Sequence, residues 1–354
     1  MKRLRVGFLS VVPSPYQRDL FAALALRPEL EIRVHYMEKA APDSPWPEKP
    51  LAPYESYLPG FWLPLGSRRV HLNWPLPRFT DCDVIVLNSL MSVTAQWLMR
   101  WTLRGRHWIF WGEKLALRGG LHRFLAAPLH RAAAIAGIGQ WARADYETRF
   151  PEPRHYNIPY HCDLTAFLAQ PRHEREGNSV TFLFCGQMIA RKGLDLLLEA
   201  FGGLENRARL LLVGREAELP QMLHALPEAV RNRVEYAGFQ APETLPGYFA
   251  AADVFVLPSR HDCWGVVCNQ ALAAGLPIVC SDQVGAGFDL VEEGVNGCQF
   301  PAGDAGSLRT CLQRFLDEPA RIDQYGSASR SRAAEWQPAC GAARWLEALQ
   351  NVAS

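Results

Sequence analysis

Lys192, Asp262 and Gln270 are the residues whose types and surroundings best suit chemistry on a phosphorylated ligand. Lys192 lies in "CGQMIARKGLDLLLEAF", residues 185–201, after an apolar run and before a pattern with helical spacing. A lysine beside the positive end of a helix suits a diphosphate. A solvated basic loop is the plainer alternative, and the G-x-x-x-x-G-K-[ST] phosphate loop is absent. Asp262 and Gln270 lie in "PSRHDCWGVVCNQALAAGLPIVCS", residues 258–281, which reads as strand, loop, helix, strand. Asp262 falls in the loop, Trp264-Gly265 turns the chain into a helix ended by Gly275, and Gln270 falls about two turns into it. Amides at that helix start face any ligand beyond the strand. Helix capping for Asp262 and a surface position for Gln270 are the alternatives. A third stretch, "SDQVGAGFDLVEEGVNGCQF", residues 281–300, has Gly285 and Gly287 where backbone could approach closely, while its "VNG" is simple turn chemistry.

Other signals are discounted. "DCD", residues 81–83, could hold a divalent cation, but it precedes the strand "VIVLN" and so sits at the end of a sheet away from ligands; it reads as a polar turn. None of the ten histidines has a partner at metal-ligand spacing, which argues against a zinc hydrolase. The nine cysteines are scattered, with no C-x-x-C pair, which argues against a disulfide framework or a zinc site and suits a reducing cytoplasm.

These residues need a rigid frame. A hydrophobic fraction of 49% with 21% charged residues is that of a globular protein with sizeable cores, and 354 residues suit two domains. No apolar run reaches the roughly 18 to 20 residues of a membrane-spanning helix. The opening "MKRLRVGFLSVV" superficially resembles a secretory leader, but prolines and charges follow and no cleavage site does; it reads as the first buried strand. Short apolar runs alternate with helical patterns along both halves, which predicts doubly wound parallel sheets. Residues 40–80, rich in Pro and Trp, read as a long ordered excursion with a hairpin. The polar stretch 169–180 reads as a linker. Residues 1–174 carry 22 Lys and Arg against 15 Asp and Glu, and the remainder is acidic, which points to different partners for the two halves. Residues 117–134, "LRGGLHRFLAAPLHRAAA", combine arginines with leucines and Phe124. They form a candidate amphipathic contact with an anionic membrane, or else a half-buried helix.

Taken together, "CGQMIARKGLDLLLEAF", "LLLVG", "VEYAGF", "AADVFVLPSRHDCWGVVCNQALAAGLPIVCSD", "VGAGFDLVEEGVNG" and "FPAGD" occur in the order and spacing of a known family. The second half resembles the GT-B glycosyltransferases, specifically the large retaining family four (glycosyl transferases group 1) of bacterial lipopolysaccharide and exopolysaccharide enzymes. The first half matches more loosely, through "PSPYQRDLFAALA", "FWGE" and "NIPYHCDLTAF". The resemblance implies an α/β fold of two Rossmann-like doubly wound parallel-sheet domains facing a cleft. An acceptor domain would span 1–168 with a returning helix at 335–354, and a donor domain 175–334. It implies transfer of a sugar from a nucleoside-diphosphate sugar with retained configuration, without a cofactor or an obligatory metal.

By the same resemblance, Lys192 takes the place of the diphosphate-binding lysine. Gln187 stands where an arginine commonly shares that task, and Arg191 could compensate. Asp262 and Gln270 replace the two glutamates of an E-x7-E element, which contact the donor sugar and the ribose. Backbone amides from Cys263, Trp264 and Gly265 would touch sugar and phosphate. Glu113, Ser14 and Tyr16 are the acceptor-side candidates, with Glu113, Lys192 and Asp262 as the catalytic set; a partner for Lys114 or Arg118 is the plainer role for Glu113. The expected partners are the nucleotide-sugar donor and a glycan or lipid-linked acceptor, not nucleic acid. The expected location is the cytoplasm or the inner face of the plasma membrane. A catalytically silent homologue acting as partner of another glycosyltransferase is the rival reading, favoured by the changes at Gln187, Asp262 and Gln270. A sugar-nucleotide epimerase fits the motifs poorly.

Overall fold

A computed structural model describes residues 3–40, 49–65, 68–115, 119–173, 175 and 177–354. The chain divides into two compact units, residues 1–162 with 338–354, and residues 163–337.

The first unit contains β1 (Leu4–Ser10), β2 (Leu30–Tyr36), β3 (Glu55–Tyr57), β4 (Gly60–Leu65), β5 (Arg68–Asn73), β6 (Val84–Leu87), β7 (Trp108–Gly112), β8 (Ala134–Gly137) and β9 (Arg154–Asn157). Seven of them form one parallel sheet in the order β3-β2-β1-β6-β7-β8-β9, while β4 and β5 make a separate antiparallel hairpin inside the excursion expected at 40–80. Residues 41–48 and 66–67 of that excursion lie outside the described residues. β6, β7 and β8 are buried throughout, as strands covered by helices on both faces must be. The chain runs from β1 outward to β3, then returns to β6 on the other side of β1. The crevice between β1 and β6 is therefore a topological switch point.

Helix Pro15–Ala25 leaves β1 with Pro15 in its first turn, where the missing N–H costs nothing. Helix Pro338–Ala353 packs against it. Trp345, on that last helix, is fully buried and meets Phe8 of β1 (5.6 Å between ring centres) and Trp111 of β7 (5.5 Å), both edge to face. Behind β9, His161 is fully buried against Gly341, where a Cβ would stand 2.8 Å from the ring. Its Nδ1 donates to the Pro159 carbonyl (2.9 Å), yet burial dominates and pushes its pKa down to about 4. The unfolded chain then binds a proton that the folded one does not between about pH 6.5 and 4, so stability falls as pH falls through that window. Denaturant unfolding is expected to lose about 2 kcal/mol between pH 7 and pH 5 through this residue, a slope that His161→Gln flattens.

The second unit holds β10 (Val180–Cys185), β11 (Ala208–Val213), β12 (Val234–Tyr236), β13 (Val254–Leu257), β14 (Ile278–Ser281) and β15 (Gly297–Phe300), all parallel, in the order β12-β11-β10-β13-β14-β15. Its switch point lies between β10 and β13. Helix Leu194–Gly202 is apolar nearly all round because it is sandwiched between the sheet and helix Ala305–Asp317. Residues 163–168, expected with the first domain, belong to this unit. Phe167 of helix Thr165–Ala169 is buried edge to face on Phe249 (5.3 Å), and the polar stretch 169–180 lies inside the unit.

Residues 117–134 do not form one amphipathic helix. Residues 117 and 118, including Arg118, lie outside the described residues. Helix Gly119–Ala126 gives way to a tighter turn at Ala127–Arg131, because Pro128 supplies no N–H for a continuing helix. Leu129 and Pro128 are buried, so among the described residues of the stretch only Leu121 and Phe124 of the large apolar residues face outward. "DCD" pairs with arginines: Asp83 with Arg5 (2.9 Å) and Asp81 with Arg33 (2.5 Å). Among the described residues, no helix is long and apolar enough to cross a membrane.

Candidate functional site

Lys192 ends a short turn, Ala190–Lys192, between β10 and the helix starting at Leu194. Gly193 makes that junction: its φ is +75°, and a Cβ would stand 1.9 Å from the Pro258 carbonyl oxygen at the exit of β13. The neighbouring loop is held against the turn. Arg260 N–H donates to the Arg191 carbonyl (2.9 Å), the Arg191 guanidinium donates to the His261 carbonyl (3.2 Å), and Arg260 grips Asp195 through two bonds of 2.7 Å. A third loop closes the set. Asp262 N–H donates to the Gln283 carbonyl and Gly285 N–H to the Asp262 carbonyl, both 2.9 Å. Gly285 has to be glycine, since a Cβ would stand 2.1 Å from the Cys263 carbonyl oxygen.

This lacing brings two of the expected residues into direct contact. The Lys192 ammonium pairs with the Asp262 carboxylate, 70 positions away in sequence, and their side chains are only 18% and 13% exposed. Asp262 is therefore an ion-pair partner rather than a helix cap; helix Val267–Ala273 begins five residues later. Gln270 stands in the first turn of that helix, not two turns along it, and its Oε1 is buried with no hydrogen-bond partner among the described residues. A buried acceptor of this kind is met by an ordered water, an ion or a ligand donor. The Trp264 ring is committed to the core: its indole is buried, donates to Asn269 Oδ1 (2.9 Å) and packs on Trp336 (6.0 Å). Gly265 (φ +92°) follows it, and Cys263 packs its sulfur 3.5 Å from His261 Nε2. Gln187 lies half-buried just beyond β10, and Arg191 is exposed. Beneath the pair, burial raises the thiol of Cys185 to about 12 and that of Cys268 well above its usual value, so both stay protonated.

In the first unit, Glu113 follows β7, and its Oε1 accepts from the Tyr160 hydroxyl (3.3 Å). Tyr160 in turn packs against Tyr16 with the rings tilted (4.5 Å between centres), so two of the three acceptor-side candidates share one cluster. Lys114, offered as a partner for Glu113, instead lies over the Trp141 ring (3.7 Å). Ser14 caps helix Pro15–Ala25 in position but makes no side-chain cap, and its buried Oγ has no partner among the described residues. Sequence reasoning missed Tyr160 and Asn88. Asn88, at the exit of β6, donates to Ser10 Oγ (2.8 Å) across the β1/β6 switch point and leaves its own Oδ1 buried without a partner. Its place after a fully apolar strand is the signal that could have found it.

Residues 179–318 match the family model of glycosyl transferases group 1. The alpha-D-kanosaminyltransferase of Streptomyces kanamyceticus is 26% identical over 224 residues, 59% of this chain and 54% of that protein. The chain spans about half or less of the length of the first curated relatives it matches. Among solved structures, sucrose-phosphate synthase from Thermosynechococcus elongatus superposes with a TM-score of 0.75 at 21% identity, covering 99% of both chains. The Anabaena protein HepE in complex with UDP-glucose gives 0.74 at 17% identity, covering 99% of this chain and 100% of that one. Residues 179–318 therefore belong to the glycosyl transferases group 1 family, and the chain has the GT-B fold of two Rossmann-like parallel-sheet domains.

Proposed function

We propose that the protein is a retaining glycosyltransferase that moves a sugar from a nucleoside-diphosphate sugar to a cell-envelope, lipid-linked or exopolysaccharide acceptor. The observation that carries this reading is the Lys192–Asp262 pair laced together beyond β10 and β13, at the switch point of the second sheet, with the unpartnered Gln270 Oε1 in the first turn of the helix that follows. The Lys192 ammonium is the counter-charge for the diphosphate, with Arg191 at its edge. The Gln270 amide accepts from one ribose hydroxyl and donates to another. Asp262 accepts from a hydroxyl of the donor sugar once the diphosphate has taken over Lys192. As the glycosidic bond to the diphosphate breaks, the acceptor hydroxyl bonds to the same face of the anomeric carbon and passes its proton to the departing phosphate oxygen. Lys192 holds the negative charge that develops there, without a metal in that role. Glu113, Tyr16 and Ser14 are assigned to the acceptor, for which the basic first half favours an anionic molecule. The HepE structure, which holds UDP-glucose on a similar fold, supports the donor class.

A panel of UDP, GDP and ADP tests the reading by thermal shift. One of them is expected to stabilise the protein by about 2.7 kcal/mol at a hundredfold excess over its Kd. The matching sugar nucleotide is then expected to lose its sugar to water slowly in the absence of acceptor. A flat panel removes the donor assignment. Tight nucleotide binding without any sugar release or transfer would favour the silent partner.

A further inference from the structure

The first unit carries an exposed apolar face that no part of the candidate site uses. Helix Val93–Trp97 and the turn after it, Leu98–Thr102, present Trp97 and Trp101, 48% and 51% exposed with their rings 4.8 Å apart. Helix Gly119–Ala126 presents Leu121 and Phe124, each 60% exposed. The two pieces form one surface. The Arg100 guanidinium lies over the Phe124 ring (4.1 Å) and donates to the Phe124 carbonyl, while Gln96 Nε2 donates to the Leu125 carbonyl (2.9 Å). Exposed indoles and phenyl rings gathered on one face mark a binding surface.

The stretch of sequence that supplies this face is strongly basic. From Val93 to Ala134 the chain carries seven Lys or Arg and a single acidic residue, Glu113. Arg104, Arg123 and Arg131 are exposed. Tryptophan favours the boundary between headgroups and acyl chains, and arginines beside it reach lipid phosphates while their stems stay on apolar surface. We propose that Trp97, Trp101, Leu121 and Phe124 dock the first unit on an anionic membrane surface, with Arg104, Arg123 and Arg131 on the lipid phosphates. A second copy of this chain fits the face less well, because it would set one arginine rim against another. The inference stands independently of what the second unit binds.

Co-sedimentation with vesicles of phosphatidylcholine alone and of phosphatidylcholine mixed with phosphatidylglycerol tests it on the full chain. Binding is expected only to the mixed vesicles, with release by high salt and a blue shift of tryptophan emission. Trp97→Ser with Trp101→Ser, and separately Arg104→Glu with Arg123→Glu, are each expected to lower the partition at least about tenfold. All four side chains are exposed, so unchanged melting temperatures should accompany the loss; if the tryptophan pair alters folding, the arginine pair carries the test. Equal binding to both vesicles, or full binding by both variants, overturns the proposal. So does a concentration-dependent dimer that the tryptophan variant dissolves.

Discussion

Lys192→Ala is expected to lower kcat/KM for sugar transfer by on the order of a thousandfold and to abolish stabilisation by nucleoside diphosphates. Two effects combine. A charge-assisted hydrogen bond is worth roughly 1.5–3 kcal/mol in binding. A preorganised donor aimed at charge that develops in the transition state adds about 10²- to 10³-fold in turnover. The surroundings make the loss hard to recover. Gln187 brings no charge, and Arg191 is exposed and already bonded to the His261 carbonyl. The variant would also leave the Asp262 carboxylate, 13% exposed, facing the incoming phosphates without its partner. Initial-rate kinetics and thermal shift with the preferred nucleotide measure both parts. An undiminished nucleotide shift would take Lys192 out of the site.

Asp262→Asn is expected to move two measurements in opposite directions. In the unliganded protein the carboxylate occupies Lys192, so a diphosphate must displace it before it can use that cation. Asparagine keeps the shape and drops the charge. Free nucleoside diphosphate should then bind tighter, by roughly tenfold, a part of the several kcal/mol that a partly buried charge pair can be worth. Sugar transfer should fall about a hundredfold, because the donor sugar loses a charged acceptor for its hydroxyl. Calorimetry with the bare diphosphate and turnover with the full donor separate the two. If affinity and turnover fall together, Asp262 serves only to position Lys192.

The difference between what was legible in the chain and what was not follows from where the information sits. β1, β6, β7, β10 and β13 announce themselves as apolar runs because helices cover both their faces. β3 and β9, "ESY" and "RHYN", are short edge strands with polar residues, and nothing local distinguishes them from loop. Missing β9 hid Tyr160, which belongs to the cluster only because the chain leaves that edge toward Glu113. Lys192, Asp262 and Gln270 could be read as three strand-exit or helix-start positions. The meeting of Lys192 with Asp262 could not, since it depends on β10 lying next to β13, a pairing between segments some seventy residues apart. The exposed apolar face near residues 117–134 was legible only in part. Five of the sixteen described residues of that stretch are buried, and the exposed indoles come from residues 97 and 101, whose four-residue spacing looks like an ordinary buried helix face until the neighbouring helix is seen to leave it open.

The last helix has a consequence for how the chain is made. Phe8 and Trp345 share one aromatic cluster although almost the whole sequence lies between them. The unit of residues 163–337 is continuous in the chain, so a ribosome releases it with every one of its strands and helices present. The earlier-synthesised unit is still waiting at that moment, with the face of helix Pro15–Ala25 that receives Pro338–Ala353 uncovered. Order of synthesis and order of completion are thus reversed for these two units, and the one that emerges earlier is finished later.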